Sequence, residues 1–160
     1  MLQKTTRKKI AARGGRFVIV ASTYNRRYVD AMLRAAKAEI LRAGGALEIV
    51  RVPGAYEIPV AAARLARSTV GHRQPSAIIC LGVILRGATT HAQHIGEAVS
   101  NALVQIQIQH EVPVIHEVLR LENEQQAKER CLGRTHNRGT EAAQTALEMA
   151  RVMRALGKRG

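Results

Sequence analysis

Four short apolar runs rich in β-branched residues recur along this chain: FVIVAS (17–22), LEIVRV (47–52), AIICLGVIL (77–85) and VPVIHEVL (112–119). Each is followed by a stretch whose apolar residues return every three or four positions, the period of a helix with one buried face. After the first run, Met32, Ala36 and Ile40 share a face, and Gly44-Gly45 ends the helix. After the second, Ile58, Ala62 and Leu65 do the same. A long helix is expected from about Thr90 to His110, and a shorter one over roughly Asn123–Leu132. A last helix begins near Gly139 and carries Ala143, Leu147, Ala150 and Met153. Strands alternating with helices predict an α/β fold: a parallel sheet covered on both faces and joined by right-handed crossovers.

The 160 residues suffice for one domain with a sizeable core. Residues 16–157 read as that domain, and residues 1–15 as a flexible basic arm bearing Lys4, Arg7, Lys8, Lys9 and Arg13. With one Phe, three Tyr and no Trp, the core must be built from Ala, Val, Ile and Leu, which suits buried parallel strands. No apolar run approaches the roughly 20 residues that cross a membrane. No apolar stretch follows the basic N-terminus, as a secretory signal requires. A cytoplasmic location is therefore expected. Cys80 and Cys131 stand in unrelated contexts, so reduced thiols are expected and no metal site. The net charge of +13 invites a polyanion partner. No nucleic-acid motif or aromatic stacking platform accompanies it, so such binding is expected to be at most non-specific.

In open α/β sheets, ligands sit beyond the carboxyl ends of the strands. The segment RGATTH (86–91) follows the third run and opens a helix. Gly87 would let the backbone turn tightly and approach a ligand. Ala88, Thr89 and Thr90 would offer amides at a helix N-terminus, where the macrodipole favours an anion. A phosphate cradle and an ordinary Thr-capped helix start both fit this pattern. His91 lies in the first turn, where an imidazole can exchange protons at neutral pH. His94, one turn on, reads as structural. In VPGAYEIP (52–59), Tyr56 and Glu57 stand at the next helix start. There Glu57 is either a polyol-binding carboxylate or a simple helix-start acid. Tyr24 can stack on a flat ring, and Asn25 is either its polar neighbour or a plain N-cap. Arg130, Arg134 and Arg138 are spaced by four, but Gly133 and Gly139 argue against one continuous basic stripe.

With VPGAYEIP, LGVILRGATTH and NRGTEAAQTALEMA in this order, the chain resembles the lumazine synthase family from about Arg16 to Leu156. The resemblance implies a flavodoxin-like three-layer sandwich with a four-stranded parallel sheet flanked by helices. It implies a transferase of riboflavin biosynthesis that uses no cofactor. That enzyme condenses 5-amino-6-(D-ribitylamino)uracil with 3,4-dihydroxy-2-butanone 4-phosphate, losing phosphate and water, to give 6,7-dimethyl-8-ribityllumazine. Subunits of the family form homopentamers, in many members built into a sixty-subunit icosahedral shell, with active sites between neighbouring subunits. The short CLGRTHNRG turn permits such a shell.

Residue by residue, the resemblance makes Tyr24 the aromatic stacked on the pyrimidine and Asn25 the polar residue beside it. Ala55, Tyr56 and Glu57 would hold the ribityl chain and the ring, and the backbone of Val83, Ile84 and Leu85 would border the ring. Ala88 and Thr89 would bind the phosphate, and His91 would be the catalytic proton carrier. Arg130 would clamp the phosphate from the adjacent subunit, and Arg138 would stand for a lysine near the ribityl chain. Three departures follow. Ala92 and Gln93 replace an aromatic and an acid after the histidine. His116 stands where the family often has a Phe that closes the neighbour's pocket. LRLENEQQ replaces a Thr-rich segment, placing Glu117 and Arg120 near the pocket mouth as new charges. These departures keep a second reading open: an assembly or ligand-binding paralogue with weak or altered activity.

Overall fold

The computed structural model describes residues 9–68 and 73–158. The elements run β1 (Arg16–Ser22), α1 (Arg26–Arg42), β2 (Ala46–Val52), a 3-10 turn (Ala55–Glu57) leading into α2 (Ile58–Arg67), β3 (Ala77–Leu85), α3 (His91–His110), β4 (Val114–Leu121), α4 (Glu124–Cys131) and α5 (Arg138–Gly157). The strands form one parallel sheet in the order β2-β1-β3-β4. Helices α1, α4 and α5 cover one face, and α2 and α3 the other. This is an α/β three-layer sandwich of the flavodoxin-like kind.

Burial explains the strand composition. Every residue of β3 from Ala77 to Ile84 is buried, so both faces must be apolar and no alternation survives in its sequence. On β1, Phe17, Ile19 and Ala21 face α1 and α5, while Val20 faces α2 and α3. The fourth strand runs two residues later at both ends than the apolar run suggests, from Val114 to Leu121. Pro113 has no N–H to give a ladder, and its carbonyl instead accepts from Ile78 N at 2.8 Å. At the other end, Arg120 and Leu121 keep register with Ile84 and Leu85. The α2 stripe also differs slightly from its expected form: Ala66, not Leu65, is the fully buried member beside Ile58 and Ala62. Of the basic segment before β1, Ala12 is buried and its N–H donates to Ala43 O at 2.9 Å.

The basic stripe is broken. Asn137 Oδ1 accepts from Gly139 N at 2.8 Å, and its Nδ2 donates to Cys131 O at 2.7 Å. That side chain ends α4 and starts α5, placing Arg130 on α4, Arg134 in the turn and Arg138 at the first residue of α5. Just behind, α5 packs principally on α1. The approach is so close that a Cβ at Gly139 would fall inside the Met32 backbone. Gly139→Ala is therefore expected to lower stability by about 3 kcal/mol through forced separation of the helices. Gly157→Ala, with open space around it, should stay within about 0.5 kcal/mol of the parent. Urea midpoints of the two variants check this; equal midpoints would sink the packing argument.

Candidate active site

The carboxyl ends of β1 and β3 diverge in a way that opens a cavity. β1 pairs with β3 only as far as Ala21↔Leu81, whereas β3 continues against β4 to Leu85↔Leu121. Residues 82–85 therefore lack a strand partner on the β1 side. Asn25 fills part of that gap. It sits at the N-cap position of α1 with φ 56°, in the left-handed region that Asn tolerates. Its side chain makes no cap bond there; Nδ2 instead donates to Val83 O at 2.6 Å. This residue ties the end of β1 to the end of β3.

A cavity of about 900 Å³ lies above this junction. Tyr24, Asn25, Ala55, Tyr56, Glu57, Val83, Ile84, Leu85 and His91 all line it. Tyr24 and Tyr56 stand at its lip, 70% and 64% exposed, two of the three tyrosines in the chain. Gly54 leaves room for Tyr24 and Glu57: a Cβ there would press on the Tyr24 ring and on Glu57 Oε2, both at 2.9 Å. Glu57 Oε2 accepts from Gly54 N at 2.9 Å. The helix-start role and the cavity-lining role thus coexist in one carboxylate, with Oε1 left over.

The turn before α3 borders a second, smaller cavity of about 230 Å³, lined by Ala88 and Thr89 together with Arg86, Thr90 and Arg120. Among the described residues, the amides of residues 87–90 have no hydrogen-bond partner, and Thr90 makes no side-chain cap bond. They lead into a 20-residue helix whose first amide, His91 N, donates to Thr89 Oγ1 at 3.4 Å, and the macrodipole of that helix favours an anion at this turn. Gly87 is not in the left-handed region, and open space surrounds the place of a Cβ. The two cavities flank the first turn of α3, with His91 on the larger and Thr89 on the smaller. The His91 ring has no hydrogen-bond partner among the described residues. Gln93 is spent on Glu97 at 2.8 Å, and Ala92 is buried.

His116, Arg130 and Arg138 line neither cavity. His116 lies on the edge strand β4, where its Nδ1 accepts from Val118 N at 3.1 Å. The ring proton is therefore on Nε2 and is donated to Ser100 Oγ at 2.7 Å, and Ser100 donates to Gly96 O at 2.8 Å. Burial holds the His116 pKa below the usual imidazole value. Arg138 Nε donates to Glu117 Oε2 at 3.0 Å and Nη1 donates to Glu141 Oε2 at 2.7 Å. Arg86 and Arg120 share Glu122, at 2.7 and 3.0 Å.

The sequence reading missed four residues of the larger cavity: Gly54, His94, Ile95 and Ala98. His94 was legible, since three residues after His91 on a helix means the same face. Neither cysteine offers a thiolate: burial pushes Cys80 and Cys131 up to about 12, with Glu117 adding to the effect at Cys131. Among the described residues no cluster of His, Cys, Asp and Glu could hold a metal ion, and no helix is long and apolar enough to cross a membrane.

Comparison with known proteins gives the chain a family. The family model described as 6,7-dimethyl-8-ribityllumazine synthase matches residues 14–154. A protein named 6,7-dimethyl-8-ribityllumazine synthase from Xanthomonas campestris pv. campestris (strain B100) is 40% identical over 144 residues, covering 88% of this chain and 91% of the relative. One of the same name from Aquifex aeolicus (strain VF5) is 40% identical over 151 residues, covering 92% and 96%. Another from Xylella fastidiosa (strain M12) is 39% identical over 146 residues, covering 89% and 92%. The chain belongs to the 6,7-dimethyl-8-ribityllumazine synthase family.

Proposed function

We propose that the chain is a lumazine synthase, a transferase that joins 5-amino-6-(D-ribitylamino)uracil to 3,4-dihydroxy-2-butanone 4-phosphate. The observation that carries this is the pair of cavities on either side of the first turn of α3. One is lined by aromatic rings, strand-end backbone and a carboxylate; the other by free amides and threonines. Tyr24 stacks on the pyrimidine, while Asn25 and the backbone of Val83, Ile84 and Leu85 meet its polar edge. Ala55, Tyr56 and Glu57 hold the ring and the ribityl hydroxyls. Ala88 and Thr89 hold the phosphate ester. His91, between the two, takes a proton from the amine as it attacks the ketone and returns one as water leaves. Holding amine and carbonyl at contact distance supplies most of the acceleration in such a condensation.

Arg130, Arg138 and His116 act from a second copy of the chain. Their absence from the two cavities, and the position of His116 on an edge strand, support a site completed by a neighbouring subunit in a homopentamer or its sixty-subunit shell. The cell compartment in this reading is the cytoplasm.

Steady-state assays with both substrates, read by the absorbance of the lumazine, test the proposal. The parent should turn over well above the spontaneous reaction, and His91→Ala should lose about 100-fold in kcat. Arg130→Ala should raise KM for the phosphorylated ketone roughly 10- to 100-fold, the worth of a charge-assisted bond. In sedimentation velocity the protein should run as a pentamer or a larger closed assembly. A folded, assembled protein without turnover would give the lead to a scaffold role.

A further inference from the structure

Glu117 is costly where it stands. It is 7% exposed, and its strand neighbours Ile115, Leu119 and Leu121 on the same face belong to the core under α1, α4 and α5. A buried carboxylate must be paired and hydrogen-bonded, and even then an apolar side chain of similar volume usually serves stability as well or better. Stability does not explain this residue, so its partner is the place to look.

That partner is Arg138. Its guanidinium is gripped from two elements: Nε by Glu117 on β4 and Nη1 by Glu141 on α5. Glu141 alone is an i,i+3 neighbour on the same helix, and such a pair fixes a long side chain weakly. The bond across to β4 removes the remaining freedom and, among the described residues, leaves Nη2 as the nitrogen without a partner. We propose that Glu117 is a positioning residue for the ribityl-bearing substrate: it fixes the Arg138 fork so that Nη2 is presented to the polyol hydroxyls. The inference rests on the role given to Arg138 above.

The charged and titratable groups around Glu117 are Arg138 and Glu141 from α5 and Arg130 and Cys131 from α4. Burial pushes the Glu117 carboxyl up to about 7, against the pull of Arg138. Above that pH the carboxylate makes a charge-assisted bond to Nε. Below it the protonated form offers Nε only an uncharged carbonyl oxygen, a weaker acceptor.

The test uses the assembled full chain and follows KM for each substrate separately from kcat. Glu117→Ala should raise KM for the ribitylaminouracil about tenfold, with kcat and KM for the phosphorylated ketone little changed. In the parent, KM for the ribitylaminouracil should climb as pH falls from about 8 to about 6. Glu117→Gln, which keeps an acceptor for Nε but no charge, should sit at the parent's low-pH value throughout. Arg138→Ala should raise the same KM. If it does not, the role of Arg138 falls and the proposal with it. If it does while Glu117→Ala leaves KM unchanged, only the positioning role is overturned. Should the alanine variant fail to fold, the glutamine variant decides: a KM that still climbs toward pH 6 overturns the proposal.

Discussion

The backbone of β3 is the constraint on which this molecule depends. As the inner strand between β1 and β4 it is sealed on both faces from Ala77 to Ile84. Its ladder to β1 stops at Leu81 while its ladder to β4 continues to Leu85. A buried peptide edge must find partners. Here one is Asn25, and the remaining groups stand at the wall of the larger cavity. The site is thus a consequence of unequal strand lengths in a parallel sheet, and the loops after β1 and β3 need only supply side chains around it.

How much of this was legible in the sequence depended on whether a signal was periodic or geometric. The order of strands and helices followed from apolar spacing, because Met32, Ala36 and Ile40, or Ala143, Leu147 and Ala150, can be buried together on one helix and in no other way. The cavity residues Tyr24, Glu57 and His91 were legible because they follow strands in a doubly wound sheet. The limits of β4 were not, since the apolar run begins two residues before the ladder can form at Pro113. The dual use of Glu57 was not legible either; capping and lining look alike in a sequence, whereas in the fold one oxygen accepts from Gly54 N and the other has no partner among the described residues. Asn25 reads as an N-cap by residue type, yet its amide goes to Val83 O, a partner 58 positions away. Long-range hydrogen bonds of that kind leave no local trace.

The placement of positive charge follows the same logic. Arginines near the sheet ends are held by carboxylates: Arg86 and Arg120 by Glu122, Arg138 by Glu117 and Glu141. Each pair fixes a fork at modest energetic gain, because exposed pairs are screened and buried ones lose hydration. What remains for a ligand is direction rather than excess charge. In the small cavity that direction is reinforced by the amides of the turn leading into a 20-residue helix, which among the described residues have no partner and need no counter-charge of their own.

The hydrogen bonds around His116 have one more consequence. With Nδ1 closed by Val118 N–H and Nε2–H committed to Ser100, the ring can gain a second proton only by giving up the bond it accepts from Val118 N–H. Around neutral pH it is a flat, uncharged plate with two occupied corners. While both bonds hold, the ring has neither a lone pair nor an N–H left to exchange a proton, so this histidine serves the edge strand as a structural plate rather than as an acid–base group.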